Sequence, residues 1–216
     1  MKQPSAIAES GRREREAARR RTDVLDVATG LFAEKGHEGT QISEIARVAE
    51  VSLATLYAMF KSKDELFQAV LVRAAESIRE TVRARVDTVG DPAERLLVLV
   101  DCLLRCFEEN RALMQIYTLG THGLPWSIRQ TMGEPLVDIY REFLDYVTEL
   151  AQAAARAGRL GALAPETAAL AVVGTVNATA AEWIESGRDE PLSDAAPGIR
   201  EVVERLLVEA GEEGGT

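Results

Sequence analysis

Cysteine and histidine are scarce: this 216-residue chain has two of each. Beyond the two cysteines a metal would have only His37 and His122 as further such ligands, and no metal-binding cluster stands out. No nucleophile–base arrangement and no phosphate-cradling glycine loop stands out, so neither an enzyme, a metal nor a cofactor is expected. Cys102 and Cys106 stand four apart and share a face if the segment is helical, where a disulfide would strain the backbone. They read as free, buried thiols. No apolar run is long enough to cross a bilayer. The nearest, Ala168 to Ala181, is interrupted by Thr175, Asn177 and Thr179. The opening residues are Arg-rich without an apolar core, which argues against a secretory signal and makes the cytoplasm the expected location. Beta-branched alternation is also missing, so the chain reads as all-α.

The charge is unevenly spread. Net charge is −10, yet residues 1–63 hold 11 Lys and Arg against 9 Asp and Glu, a local +2, and the remainder carries −12. An acidic body with one basic end fits a protein that presents a single face to nucleic acid. Arg12, Arg13, Arg15, Arg19, Arg20 and Arg21 fall within ten residues. Two readings stay open for this run. It is a solvated helix extension interleaved with Glu14 and Glu16, or an arm that follows phosphates or enters a minor groove.

Residues 39–67 carry the main motif. Ile42, Ile45, Ala46 and Ala49 recur at helical spacing, with Thr40 as the expected N-cap and Glu44 in the first turn. Ala46 is small enough to let a second helix cross closely. Ser52 caps that second helix, whose Leu56 and Phe60 point inward and whose Leu53, Ala54, Thr55 and Tyr57 stay outside. Ser62 to Glu65 reads as a capping box opening a third helix, with Lys61 and Lys63 beside it. This is a helix-turn-helix, whose outer face suits a major groove and whose hydroxyls and lysines suit phosphates.

The stretch resembles the TetR family of bacterial transcriptional regulators. The matching residues are Val24 to Ala28, Leu31 to Gly36, Thr40, Ile45-Ala46, Val51-Ser52, Thr55-Leu56-Tyr57, Phe60 and Ser62 to Leu66. By that resemblance Thr40, Ser52, Thr55, Tyr57 and Lys63 contact the DNA backbone, and Leu53, Ala54 and Thr55 face base edges. Gln41 and Lys61 complete the candidate DNA-binding set. Three positions depart from the family pattern. Glu50 stands where the turn usually has Gly, Gln41 where a second hydroxyl is common, and Met59 where an aromatic or His is frequent. The resemblance also implies a homodimer, a palindromic double-stranded operator and a small-molecule effector.

The remaining chain reads as helices. One opened by Ser62 is expected to reach about Val89, and one opened by Asp91-Pro92 is apolar over most of its girth and therefore central. A short helix is expected from Ala112 to Leu119, then a loop to Pro125. A long segment from Trp126 to Ala157 is expected to bend near Pro135. The last two helices, one opened by Pro165 and one carrying Ile199, Val202, Val203, Leu206 and Leu207, are the expected dimer interface. The expected organisation is a basic arm at 1–21, a helix-turn-helix domain at 22–67, a ligand-binding and dimerisation domain at 68–211, and a frayed tail at 212–216. The candidate effector-lining residues are Cys106, Phe107, Met114, Tyr117, Trp126, Tyr140, Phe143, Asn177 and Trp183. They suit an apolar or aromatic organic molecule. The expected function is a repressor released from DNA by that effector. The alternative is a ligand-independent activator or architectural DNA binder, which a fully packed core would favour.

Overall fold

The computed structural model describes residues 6–121 and 133–207. Its helices are α1 (Ala6–Gly39), α2 (Ile42–Val48), α3 (Leu53–Met59), α4 (Lys63–Val86), α5 (Pro92–Glu109), α6 (Arg111–Thr121), α7 (Glu134–Arg156), α8 (Pro165–Glu185) and α9 (Ala196–Glu204), with a 3-10 turn at Leu192–Ala195. Among the described residues the one β contact is an isolated bridge between Leu160 and Leu207. The chain divides into two compact units, Met1–Leu71 and Val72–Thr216, and the division falls inside α4.

In the first unit α1 runs on from Ala6, so the basic arginines lie on the exposed leading turns of a helix. Regular helix breaks at Gly36, whose φ of 69° only glycine adopts without cost. Val24, Ala28, Phe32, Ile45, Leu56, Phe60 and Leu66 are all fully buried, and they form the apolar interior beneath α1, α2 and α3. The turn between α2 and α3 is a Schellman closure. The N–H of Val51 donates to Ala46 O at 2.9 Å and that of Glu50 to Arg47 O at 3.3 Å. This geometry puts Glu50 at φ 55°, the left-handed region that glycine normally fills.

In the second unit α5 is the central helix, as its girth of apolar residues predicts. Eight of its side chains are buried, including Leu96, Leu99, Val100 and Leu104, and α6, α7, α8 and α9 pack on it. Burying each such Leu contributes about 1.5–3 kcal/mol relative to exposure. Asp91 caps α5 by accepting the N–H groups of Ala93 (2.9 Å) and Glu94 (2.8 Å). Trp183 near the end of α8 is buried, donates its indole N–H to Glu190 O at 2.8 Å, and carries the Arg111 guanidinium 4.1 Å from its ring centroid.

Three sequence expectations are revised. Pro135 does not bend a helix; it sits in the first turn of α7, where its missing N–H costs nothing, after Gly133 at φ 83°. The helix from Ser62 ends at Val86 rather than near Val89, and Thr88 instead donates to Arg85 O at 2.7 Å. The stripe from Ile199 to Leu207 is not one helix. It stops at Glu204, and the chain turns so that Leu206 O accepts Gly161 N–H at 2.8 Å and Leu207 meets Leu160. Part of the loop before Pro125, the start of the Trp126 segment, and the tail at 212–216 lie outside the described residues.

Candidate nucleic-acid interface

The second helix of the motif, α3, presents the face read from its sequence. Leu56 points inward with no exposure, whereas Leu53 is 45% and Tyr57 51% exposed. Ala54 is exposed beside them and Thr55 half-buried. Leu53 and Tyr57 stand four apart, one turn, and so share this open face of the helix. Ser52 holds the helix start. Its hydroxyl accepts the Thr55 N–H at 3.0 Å and lies 2.8 Å from the Thr55 hydroxyl.

An open cleft of about 450 Å³ runs along this face, lined by Glu38, Thr40, Gln41, Ile42, Ser43, Leu53, Tyr57 and Lys63. Five of the nine sequence-predicted DNA contacts therefore meet in one groove. Ser52, Ala54 and Thr55 continue the α3 surface next to it, and Lys61 is exposed at the following turn. Lys63 Nζ donates to His37 O at 2.7 Å and to Thr40 O at 3.3 Å. An ammonium has three N–H donors, so one is left for a phosphate.

Thr40 is a correction. It does not cap α2; Gln41 occupies that position with no side-chain bond. The Thr40 side chain is 1% exposed and its hydroxyl is within reach of Gly36 O (2.7 Å) and Leu31 O (3.1 Å). The break at Gly36 leaves helix carbonyls without amide partners, and the nearest hydroxyl satisfies them. That single donor is thus used inside the protein rather than offered to a phosphate. The capping box at Ser62 is shifted as well. Ser62 Oγ accepts Glu65 N–H at 3.1 Å, but Glu65 reaches back to the N–H of Lys61 at 2.7 Å rather than to that of Ser62.

Sequence reasoning missed several supports. Ser43 and Glu38 line the cleft, and only their nearness to α2 could have marked them. His37 packs by Phe32 (5.9 Å between centroids) and edge-on to Phe67 (4.8 Å), with Nε2 2.8 Å from Asp64 Oδ1. Lys35 pairs with Glu44 at 2.7 Å, and this hydrogen bond holds its ammonium above the ordinary lysine value.

The second unit holds the candidate effector residues. Cys106, Met114 and Trp183 are buried in its core, and Phe107, Tyr117, Tyr140 and Phe143 pack half-buried against it. Burial pushes the Cys106 thiol up to about 12 and raises those of Cys102 and the Tyr140 phenol, so all three stay protonated at neutral pH. Both cysteines are free thiols. Thr118, on the same helix as Met114, was not singled out in the sequence. It is 1% exposed, and its hydroxyl has no hydrogen-bond partner among the described residues. Asn177 is half-buried on α8, at the edge of the face that carries Val173 and Ala180 into the core. Trp126 lies outside the described residues.

Among the described residues, short helices α2 and α3 joined by a tight turn, with α3 exposed beside the cleft, form a helix-turn-helix arrangement. Residues 24–70 match the pattern described as "Bacterial regulatory proteins, tetR family". An uncharacterised HTH-type transcriptional regulator of Mycobacterium tuberculosis is 36% identical over 95 residues, 44% of this chain and 47% of that one. The HTH-type transcriptional repressor KstR2 of the same species is 32% identical over 98 residues, 45% of this chain and 49% of that one. The chain thus spans about half the length of the curated relatives it matches. Among solved structures, the fatty acid degradation regulator FadR from Bacillus halodurans aligns with a TM-score of 0.75 at 18% identity, covering 91% of this chain and 97% of that one. The transcriptional regulator FadR from Bacillus subtilis, in complex with stearoyl-CoA, aligns at 0.73 and 18%, covering 84% and 96%. These structures share the fold, and the relatives and fold neighbours are transcriptional regulators rather than enzymes.

Proposed function

We propose that this chain is a sequence-specific transcriptional repressor that binds a palindromic operator as a homodimer and leaves it when a small apolar effector binds. The observation that carries the reading is the α3 face: Leu53 and Tyr57 exposed along an open cleft that Lys63 also lines. One recognition helix reads only a few base pairs; two held about one helical turn apart read a palindrome. Ser52, Thr55, Tyr57, Lys61 and Lys63 are the backbone contacts in this proposal, and Leu53, Ala54 and Thr55 meet base edges. Gln41 lies in the same groove.

The dimer in this reading forms through α8 and α9. The outward side of α8 carries Leu170, Gly174 and Ala178 exposed and uncharged, and Val202 on α9 is 45% exposed. Leu170→Glu therefore separates the dimer into monomers in sedimentation velocity. A dimer that persists would remove this interface. Leu206 is unsuited to the same test, because it packs against its own core.

Support for an effector comes from Tyr117, Tyr140 and Phe143 packed half-buried against the core and from the Thr118 hydroxyl, which has no partner among the described residues. The stearoyl-CoA seen with a fold neighbour makes acyl thioesters the first class to test. Ligand acts, in this proposal, by shifting the protein toward a state whose recognition helices no longer match operator spacing, with α4 as the continuous link. The coupling is reciprocal: DNA weakens effector binding by the same factor by which effector weakens DNA binding. The test is fluorescence anisotropy of the protein–operator complex titrated with a chain-length series of acyl-CoAs, with the reverse titration by calorimetry. Release with equal factors is the expected result. A complex that no compound in the series releases points to the ligand-independent reading. The absence of any described helix long and apolar enough to cross a membrane agrees with action in the cytoplasm.

A further inference from the structure

The six clustered arginines read from the sequence as one group, but the last of them is placed differently. Arg21 Nη1 donates to the carbonyl of Met59 at 3.0 Å, 38 residues away in the chain. Its guanidinium also lies 4.1 Å from the centroid of the Phe60 ring. Met59 is the last residue of α3 and Phe60 its C-cap. Arg12, by contrast, pairs with Glu16 at 3.4 Å along its own helix.

The C-terminus of α3 needs such a partner. The last carbonyls of a helix have no amide donors within it, and the partial negative charge there attracts a cation. The last turn of α3 contains no basic residue. Phe60 N–H closes back on Leu56 O at 2.9 Å, but among the described residues no backbone amide takes the Met59 carbonyl. A seven-residue helix has little stability of its own, so its end contacts decide whether it holds its shape. Phe60 is fully buried and fixed. A planar guanidinium stacked on that ring and bonded to the adjacent carbonyl is therefore tied at two points, which an ammonium cannot reproduce.

We infer that Arg21 is a positioning residue for DNA recognition: it caps the recognition helix from α1 and fixes the aim of Leu53, Ala54 and Tyr57, and it does not itself contact phosphate. This rests on the DNA-binding reading above. The Arg run is accordingly split, with its earlier members on open surface and Arg21 turned to the protein.

The test compares wild type, Arg21→Gln and Arg21→Lys in the full chain. Hydrogen exchange without DNA reads the helix directly: Arg21→Gln accelerates exchange of the amides at 56–60, and Arg21→Lys does so less. Anisotropy on a selected operator and a scrambled duplex across a salt series reads recognition. A cap contributes up to about fivefold, so two recognition helices give operator weakening of up to about 25-fold. The operator-to-scrambled ratio falls, while the salt slope stays at the wild-type value. A slope reduced by about 0.9 per chain, with exchange unchanged, makes Arg21 a phosphate contact and overturns the inference. Unchanged exchange together with unchanged selectivity overturns it as well. If the wild type shows no selectivity for any duplex, the DNA-binding reading fails, and the exchange data alone decide whether Arg21 caps α3.

Discussion

Replacing Glu50 with glycine stabilises the protein, although it removes a side chain and adds backbone freedom. Glu50 sits at φ 55° because the Schellman closure of α2 demands a left-handed residue there. For a residue with a Cβ that conformation costs roughly 1–2 kcal/mol. Glycine relieves this but loses more freedom on folding, by roughly 0.5–1 kcal/mol. The difference favours glycine by about 0.5–1 kcal/mol. For a protein of this size that is a rise in melting temperature of about 1–4 °C. Glu50 is exposed, so little packing is lost with it. Thermal unfolding followed by circular dichroism measures the change, with Glu50→Ala as the control. Alanine keeps the Cβ and the strain, so it gives no comparable gain. An alanine variant stabilised as much as the glycine one would trace the effect to lost charge and refute the conformational argument. So would a glycine variant that melts lower.

Three further outcomes follow from buried or paired groups. Thr118→Val keeps the shape of a buried side chain and removes a hydroxyl that has no partner among the described residues, so the effector-free protein gains about 1 kcal/mol; a lower melting temperature would show that the hydroxyl is satisfied. The Asp91 carboxyl is held below its ordinary 3.8, first by the Glu94 N–H and then by Arg159, against the opposing effect of burial. Its stabilisation is complete above that ordinary value and is lost as the pH falls toward the depressed one, so Asp91→Asn flattens the acid limb of the stability curve below about pH 4; an unchanged limb contradicts it. With its thiol raised to about 12, Cys106 resists iodoacetamide in the native protein at pH 8 and reacts once the chain is unfolded, as read by mass spectrometry; rapid native labelling would show it is not buried.

The periodic features of this protein were readable from the sequence. Leu56 and Phe60 inward, Leu53 and Tyr57 outward, the Ser52 cap and the central position of α5 all follow from spacing and cap chemistry. The strained turn at Glu50 was readable too, since a missing glycine marks a left-handed position. What spacing could not give is competition for the same group. Thr40 looks like a cap, yet the carbonyls freed by the break at Gly36 take its hydroxyl. The Ile199–Leu207 stripe looks like one helix, yet contacts with Leu160 and Gly161 turn its end. Arg21 and Lys63 both reach carbonyls more than 20 residues away, at the ends of helices they do not belong to. Long-range closures of that kind leave no periodic trace.

The central claim is that the α3 face reads a palindromic DNA sequence as a pair. Selection of the full-length protein against random duplexes, followed by anisotropy on the enriched sequence at several salt concentrations, tests it most directly. The expected result is one enriched motif with inverted half-sites, bound by two chains and lost with Tyr57→Ala while the dimer persists. No enrichment, with equal and weak binding to every duplex, would contradict it.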